Sequence, residues 1–240
     1  MRHCKLALKW RDSLCDGTTG LYFEKPKGFE FKPGQFANFT LDSVITTDAG
    51  GITRSLSIAS APHEKDLMVA MRIRETGFKR IASALPIGSS FLVDGPYGNL
   101  VLHRDVKRPS VFLAGGIGIT PFRSMIRHAT EGGGGREILL FYSVRRLEEA
   151  AFLDELREIE ELNRGFKFIP TVTHPDGIPR HWRGEVGHIT EAMLRSWIPD
   201  FEDPIFYVAG PPGMVAGMRE MLAVAGAPDD NIRAEEFAGY

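Results

Sequence analysis

The sequence predicts a β domain folded as an antiparallel barrel or sandwich, followed by a doubly wound parallel α/β sheet. Three observations predict it. Up to about residue 102 of the 240, short apolar runs stand between Gly, Pro, Asp and Lys clusters, the spacing of strands joined by tight turns. Beyond residue 109, β-branched and aromatic runs alternate with stretches of helical period, as in a parallel sheet covered by helices. Two of those later runs end in glycine-rich turns that open at once into helices, and open α/β sheets bind ligands at such strand ends.

The elements follow in order. Leu6, Ala7, Leu8, Lys9 and Trp10 alternate like a strand, and runs at 21–23, 35–41, 54–60, 67–74 and 90–93 continue the pattern. One helical stretch, at 78–85, interrupts them. The charged segment 103–109 reads as a junction and sets the domains at 1–104 and 105–240. After it, 111–114, 138–143, 166–173 and 205–209 have the length and composition of buried parallel strands, with 232–237 as a last one. Phe122, Met125, Ile126 and Ala129 fall at helical spacing, as do Met214, Met218, Met221, Leu222 and Ala225, so both stripes are expected to pack on the sheet. An acidic helix is expected from near Leu147, and the run from Gly132 to Gly135 reads as a mobile surface turn.

Composition narrows the function. At 43% hydrophobic and 25% charged residues, the chain is of ordinary soluble type. A net charge of −2 offers no basic excess for nucleic acid. There is no apolar run of membrane-spanning length and no leader pattern at the N-terminus, so a cytoplasmic location is expected. Cys4 and Cys15 are the two cysteines; free thiols are expected, and two cysteines cannot build a four-cysteine iron–sulfur cluster. Seven scattered histidines show no metal-ligand spacing, and no G-x-S-x-G elbow supports a serine hydrolase.

Three segments carry chemistry. In Leu113-Ala114-Gly115-Gly116-Ile117-Gly118-Ile119-Thr120-Pro121 a strand ends in glycines and a helix opens, with Thr120 suited to the N-cap and Pro121 to the first helical position. Glycines admit close backbone approach, and helix N-termini present N–H groups to phosphate. The stretch Phe206-Tyr207-Val208-Ala209-Gly210-Pro211-Pro212-Gly213-Met214 repeats the arrangement. Either turn alone reads equally well as a tight structural turn; the pair favours a binding crevice. In Arg54-Ser55-Leu56-Ser57, alternation places Arg54 and Leu56 on one face and the serines on the other. An arginine there fits either a surface ion pair or a phosphate.

These motifs, with Pro33-Gly34-Gln35-Phe36, Gly95-Pro96-Tyr97-Gly98 and Glu236-Phe237 in the same order, resemble the ferredoxin–NADP reductase superfamily over essentially the whole chain. The resemblance implies a flavin-binding β-barrel at 1–104 and an NAD(P)-binding α/β domain at 105–240. By position it implies that Arg54 contacts flavin phosphate and that Ser57 lies near flavin N5, with Ser55 and Leu56 between them. Met71, Arg72, Ile73, Gly77, Phe78 and Lys79 fall in or beside the segment that runs along the flavin and its phosphates. Gly115, Gly116, Gly118, Ile119, Thr120 and Pro121 would face the nicotinamide nucleotide with Gly210, Pro211, Pro212 and Met214. Ser143, Arg145 and Arg146 would read the adenosine ribose. Phe237 would cover the isoalloxazine beside Glu236. Ser57, Thr120, Glu236 and Phe237 are thus the implied catalytic set.

The activity so implied is transfer of hydride from NADPH or NADH to bound FAD, then of electrons to a ferredoxin-like protein, a haem protein or a small oxidant. Leu56 replaces the family's tyrosine and Lys79 its serine or threonine, which leaves FMN as the second choice of flavin. Arg145 and Arg146 lean toward NADPH. Two other readings stand beside this one: a non-catalytic flavin-bearing electron-transfer subunit, and a flavin reductase that releases free reduced flavin. No metal is implied.

Overall fold

The computed structural model describes residues 3–42, 51–73, 77–132 and 135–237. Contacts divide them into two units: one runs through Val101 and includes Thr120–His128, and the other holds Leu102–Ile119 and the residues from Ala129 on.

In the first unit, strands β1 (His3–Cys15), β2 (Thr18–Glu24), β3 (Phe36–Leu41), β4 (Thr53–Ser57), β5 (Asp66–Arg72) and β6 (Ser90–Tyr97) form one antiparallel sheet ordered β4-β3-β6-β1-β2-β5. The sheet curls but does not close into a continuous barrel, and the bridge from Ile58 to Val69 links its two edges. Alternation explains the curl's interior. Leu6 and Leu8, Leu21 and Phe23, Ala37 and Phe39, Leu67 and Val69, and Phe91 and Val93 all turn inward to one apolar core. Within it Phe23 meets Phe91 edge to face at 5.2 Å. Helix α1 (Gly77–Ala84) adds Phe78 and Ala82 to that core.

The second unit is built on a parallel sheet ordered β10-β9-β8-β7-β11-β12, with β7 (Ser110–Gly115), β8 (Ile138–Val144), β9 (Phe166–Val172), β10 (Glu185–Val186), β11 (Ile205–Gly210) and β12 (Ile232–Glu236). The helices that alternate with these strands along the chain are α2 (Ile119–Glu131), α3 (Leu153–Leu162), α4 (Glu191–Arg195) and α5 (Pro212–Val224). Strands β7 and β11 are buried at every residue, which is why they read as continuous apolar runs. The chain winds outward from β7 through β8 and β9, then returns to β7's other side with β11. Strand order therefore reverses between β7 and β11, and both glycine turns lie at that reversal. Met214, Met218 and Met221 pack against the core that Val111, Leu113, Phe206 and Val208 share with Val215 and Leu222.

Two expectations are corrected. The acidic helix begins at Leu153, because Leu147–Glu149 is a lone 3-10 turn and Phe152, in the left-handed region at φ 62°, breaks the chain direction between them. Thr120 is not a cap: the 3-10 turn Gly116–Gly118 leads straight into α2 at Ile119, which leaves Thr120 and Pro121 inside its first turn. The two-residue β10 and the short α4 correspond to no readable sequence pattern. Gly133 and Gly134 of the glycine run lie outside the described residues. Among the described residues no helix is long and apolar enough to cross a membrane.

Candidate functional site

The first unit gathers three motifs on adjacent strands. Ser57 pairs with Phe36 across β4 and β3, and Phe36 pairs with Tyr97 across β3 and β6. Gln35 donates from Nε2 to the Gly98 carbonyl at 3.1 Å, and the Phe36 and Tyr97 rings lie 6.0 Å apart. Gly98 needs its glycine: at φ 96° a side chain would be strained and would meet the Phe36 ring at 3.0 Å. The Pro33–Phe36 and Gly95–Gly98 signatures, distant in sequence, are thereby one structural unit beside Ser57.

Ser57 is buried, and its Oγ has no hydrogen-bond partner among the described residues. A buried hydroxyl left in that state costs about 1–3 kcal/mol, so it marks a place where a polar ligand atom fits. Three residues earlier on the same strand, and so on its opposite face, the Arg54 guanidinium lies over the Phe78 ring at 5.5 Å. Phe78 is the second residue of α1, so the cation stands at the start of that helix, where N–H groups favour an anion. Gly77 is buried there and Lys79 is half-buried on the first turn. Ser55 turns outward and donates to Asn38 Oδ1 at 2.7 Å. Leu56 and Met71 belong to the apolar core, while Arg72 and Ile73 are half-buried at the end of β5. Arg74, Glu75 and Thr76 of the implied flavin segment lie outside the described residues.

Also in this unit, Arg123 donates to the Ala59 carbonyl at 2.7 Å and to the Glu64 carboxylate at 3.0 and 3.2 Å, and Ser124 Oγ donates to the Ser60 carbonyl at 2.7 Å. Burial opposes ionisation of Glu64, but hydrogen bonding and charge from Arg123 prevail and hold its pKa below the ordinary carboxylate value. These bonds brace the segment that follows Ser57.

The second unit brings its two glycine turns into contact. A side-chain carbon on Gly210 would lie 3.2 Å from the Gly115 Cα. One on Gly115 would drive into Met214 Sδ and stand 3.1 Å from Pro211 Cδ. One on Gly118 would strike the Ala209 carbonyl and come within 2.8 Å of the Gly210 nitrogen. Gly116 adopts φ 51°, a conformation that costs other residues roughly 1–2 kcal/mol. Ile119 and Thr120 are buried. Helix α5 starts at Pro212, with Pro211 as its cap and no side-chain acceptor on its first N–H groups. The result is two close-packed glycine turns beside the start of α5, and a helix N-terminus at such a strand reversal is where a pyrophosphate is suited to bind.

The last strand ends at the same place. Glu236 pairs with Gly210, and the Phe237 N–H donates to the Gly210 carbonyl at 3.0 Å. Phe237 is half-buried and Glu236 exposed. Burial pushes the neighbouring Glu235 up to about 7, a feature that no motif or spacing signals. At the end of β8, Ser143 is half-buried and Arg145 and Arg146 are exposed. The Arg145 carbonyl accepts from the His174 N–H at 2.9 Å. Cys4 and Cys15 form no disulfide, and the described residues hold no cluster of three metal-ligating side chains.

Residues 112–220 match the oxidoreductase NAD-binding domain family. The reductase component of propane 2-monooxygenase from Rhodococcus jostii is 27% identical over 218 residues, which cover 89% of this chain and 57% of that protein. A component of the Na(+)-translocating NADH-quinone reductase from a Marinomonas species is 29% identical over 222 residues, 86% of this chain and 54% of that one. The chain thus spans little more than half the length of these curated relatives. A ferredoxin NADP+ reductase from Neisseria gonorrhoeae, solved with bound FAD and NADP, superposes with a TM-score of 0.80 over 98% of this chain and 99% of its own, at 22% identity.

Fold and turns together define a two-unit nucleotide-binding oxidoreductase scaffold. The fold is that of the ferredoxin–NADP reductase superfamily, and residues 112–220 match the oxidoreductase NAD-binding domain.

Proposed function

We propose that the chain is an FAD-dependent NAD(P)H reductase that passes electrons to a separate acceptor. The observation that carries this reading is the pairing, in one chain, of a strand that bears the unpartnered buried Ser57 hydroxyl on one face and Arg54, over Phe78 of α1, on the other, with two close-packed glycine turns at the strand reversal. A flavin held by the first unit would supply the chemistry, accepting hydride from the nicotinamide and releasing electrons singly or in pairs. The protein's own part is placement. Arg54 and the first turn of α1, with Gly77 and Lys79, hold the flavin's phosphates, and Ser57 Oγ hydrogen-bonds at the edge of the ring near N5. Gly115, Gly116, Gly118 and Thr120 hold the nicotinamide nucleotide against Gly210, Pro211, Pro212 and Met214. Phe237, whose N–H is held by the Gly210 carbonyl, is the residue that, by the resemblance, would cover the flavin ring, with Glu236 next to it. Ser143, Arg145 and Arg146 read the ribose end, where two exposed guanidinium groups favour the 2′-phosphate of NADPH.

The acceptor is a ferredoxin-like or haem-bearing protein or a small oxidant, and the likeness to the reductase component of propane 2-monooxygenase supports a protein acceptor. Gel filtration of the FAD-loaded chain, followed by NADPH or NADH oxidation with ferricyanide as acceptor, tests the reading. Retained flavin and turnover of nicotinamide support a resident-flavin reductase. Flavin lost on the column with turnover restored by added flavin identifies a flavin reductase instead, and retained flavin without turnover identifies an electron-transfer subunit.

A further inference from the structure

The segment 102–109, which leads into β7, is held to the sheet by a buried cluster that the proposed reaction does not use. His103, Arg136 and Ser110 are all buried there. The His103 N–H donates to Tyr207 Oη at 2.8 Å, and its ring Nδ1 lies 2.9 Å from the same oxygen. Arg136 donates from Nη2 to the His103 carbonyl at 2.7 Å, and its Nη1 lies 2.8 Å from ring Nε2 and 3.3 Å from Ser110 Oγ.

Arg136 Nη1 also lies 3.4 Å from ring Nδ1, so the guanidinium stands against the side of the imidazole rather than in line with one nitrogen's lone pair. The Arg108 carbonyl, 3.1 Å from Nε2, accepts when Nε2 carries the ring proton, and Nδ1 then accepts from the Tyr207 hydroxyl. The neutral ring satisfies both neighbours, whereas a second proton makes it a cation against Arg136 and turns Nδ1 into a donor. The wider surroundings favour the neutral ring. Burial, and then the charges of Arg136, Arg233 and Arg108, lower the His103 pKa, against the single opposing pull of the Arg108 carbonyl. Arg233 lies over the Tyr207 ring at 5.4 Å, and burial raises the Tyr207 pKa so that it stays a neutral phenol. Arg108 is turned to Asp203, donating to its carbonyl at 2.8 Å, and the Asp105 carbonyl lies 3.4 Å from Arg136.

We propose that His103 is an acid-sensitive latch: its protonation sets a second buried cation 2.8 Å from Arg136 and releases the 102–109 strap from the base of β7 and β8. With a folded-state pKa below that of free histidine, the latch's contribution to stability is complete at neutral pH and above. It is lost as pH falls from the free-histidine value through the folded one. The strap is the chain's entry into the strand that ends at Gly115, so its release loosens the start of the nucleotide-binding strand.

The test is a proton NMR titration of the histidine rings from pH 8 to 5, with amide exchange of residues 102–109 followed on the same samples and corrected for intrinsic rates. His103 should titrate below the value of free histidine. Strap protection should fall at least tenfold with the same midpoint, while the centre of β7 stays protected. In His103→Gln, which keeps an acceptor for Arg136 without a titrating group, strap protection should no longer depend on pH. Strap protection that stays constant through the His103 titration overturns the latch, as does loosening that persists in His103→Gln. The wild-type titration alone decides the matter if that variant does not fold.

Discussion

The glycine turns of the second unit and the Arg54–Ser57 strand of the first, proposed here to hold the nicotinamide nucleotide and the flavin, differ in what they offer a ligand. Around Gly115, Gly118 and Gly210 neighbouring atoms occupy the room a side chain would need, so the turns offer backbone. The Arg54–Ser57 strand offers side chains, one of them a hydroxyl with no partner among the described residues. The turns are fully packed as they stand. The strand holds a polar group in a costly state that a polar ligand atom would relieve. Substitution should therefore damage the glycine turns through the fold, and the Arg54–Ser57 strand through affinity.

The largest effect belongs to the glycine turns. Gly118→Ala puts a methyl group onto the Ala209 carbonyl, and forcing β11 away should cost about 3 kcal/mol of stability. Urea unfolding should show that loss together with weakened nicotinamide-nucleotide binding. A stable variant with normal binding would show that the two turns can part freely. Next comes Arg54→Met, which keeps the packing on Phe78 and removes the charge. FAD affinity should fall about 10- to 100-fold, the worth of one charge-assisted hydrogen bond, with the melting temperature of the flavin-free protein unchanged.

Ser57→Ala sharpens the contrast through its sign. Removing an unsatisfied buried hydroxyl should stabilise the flavin-free protein by about 1 kcal/mol, yet slow flavin reduction by nicotinamide in stopped-flow. Destabilisation of the flavin-free form would mean that the hydroxyl has a partner in the fold. The smallest effect concerns Glu235. Its folded pKa is raised to about 7, so its contribution to stability is full below the ordinary carboxylate range and is lost as pH rises through 7. Thermal melts between pH 5 and 8 should show the wild type losing stability relative to Glu235→Gln as pH rises. Parallel curves would place that carboxyl in water.

The fold is legible where period and composition agree. The buried runs that form β7, β8, β9 and β11 can be read because strands covered on both faces carry few polar interruptions. The edge strand β10 has two exposed residues, Glu185 and Val186, and so leaves no pattern. The start of α3 escapes the sequence because its break depends on a left-handed Phe152, a conformation that no phenylalanine announces. At the candidate site, the glycine turns are visible because only glycine suits their crowding. The unpartnered Ser57 hydroxyl and the half-buried Glu235 carboxyl are not, because both depend on neighbours brought together by strand pairing rather than by sequence.

The most direct test of the account is the absorption spectrum of the FAD-loaded chain under anaerobic conditions, before and after one equivalent of NADPH and, separately, of NADH. The account predicts flavin bands that bleach within the mixing experiment, faster with NADPH. A protein that takes up neither FAD nor FMN, or flavin bands that neither nucleotide bleaches, would contradict it and leave the shared fold without the shared chemistry.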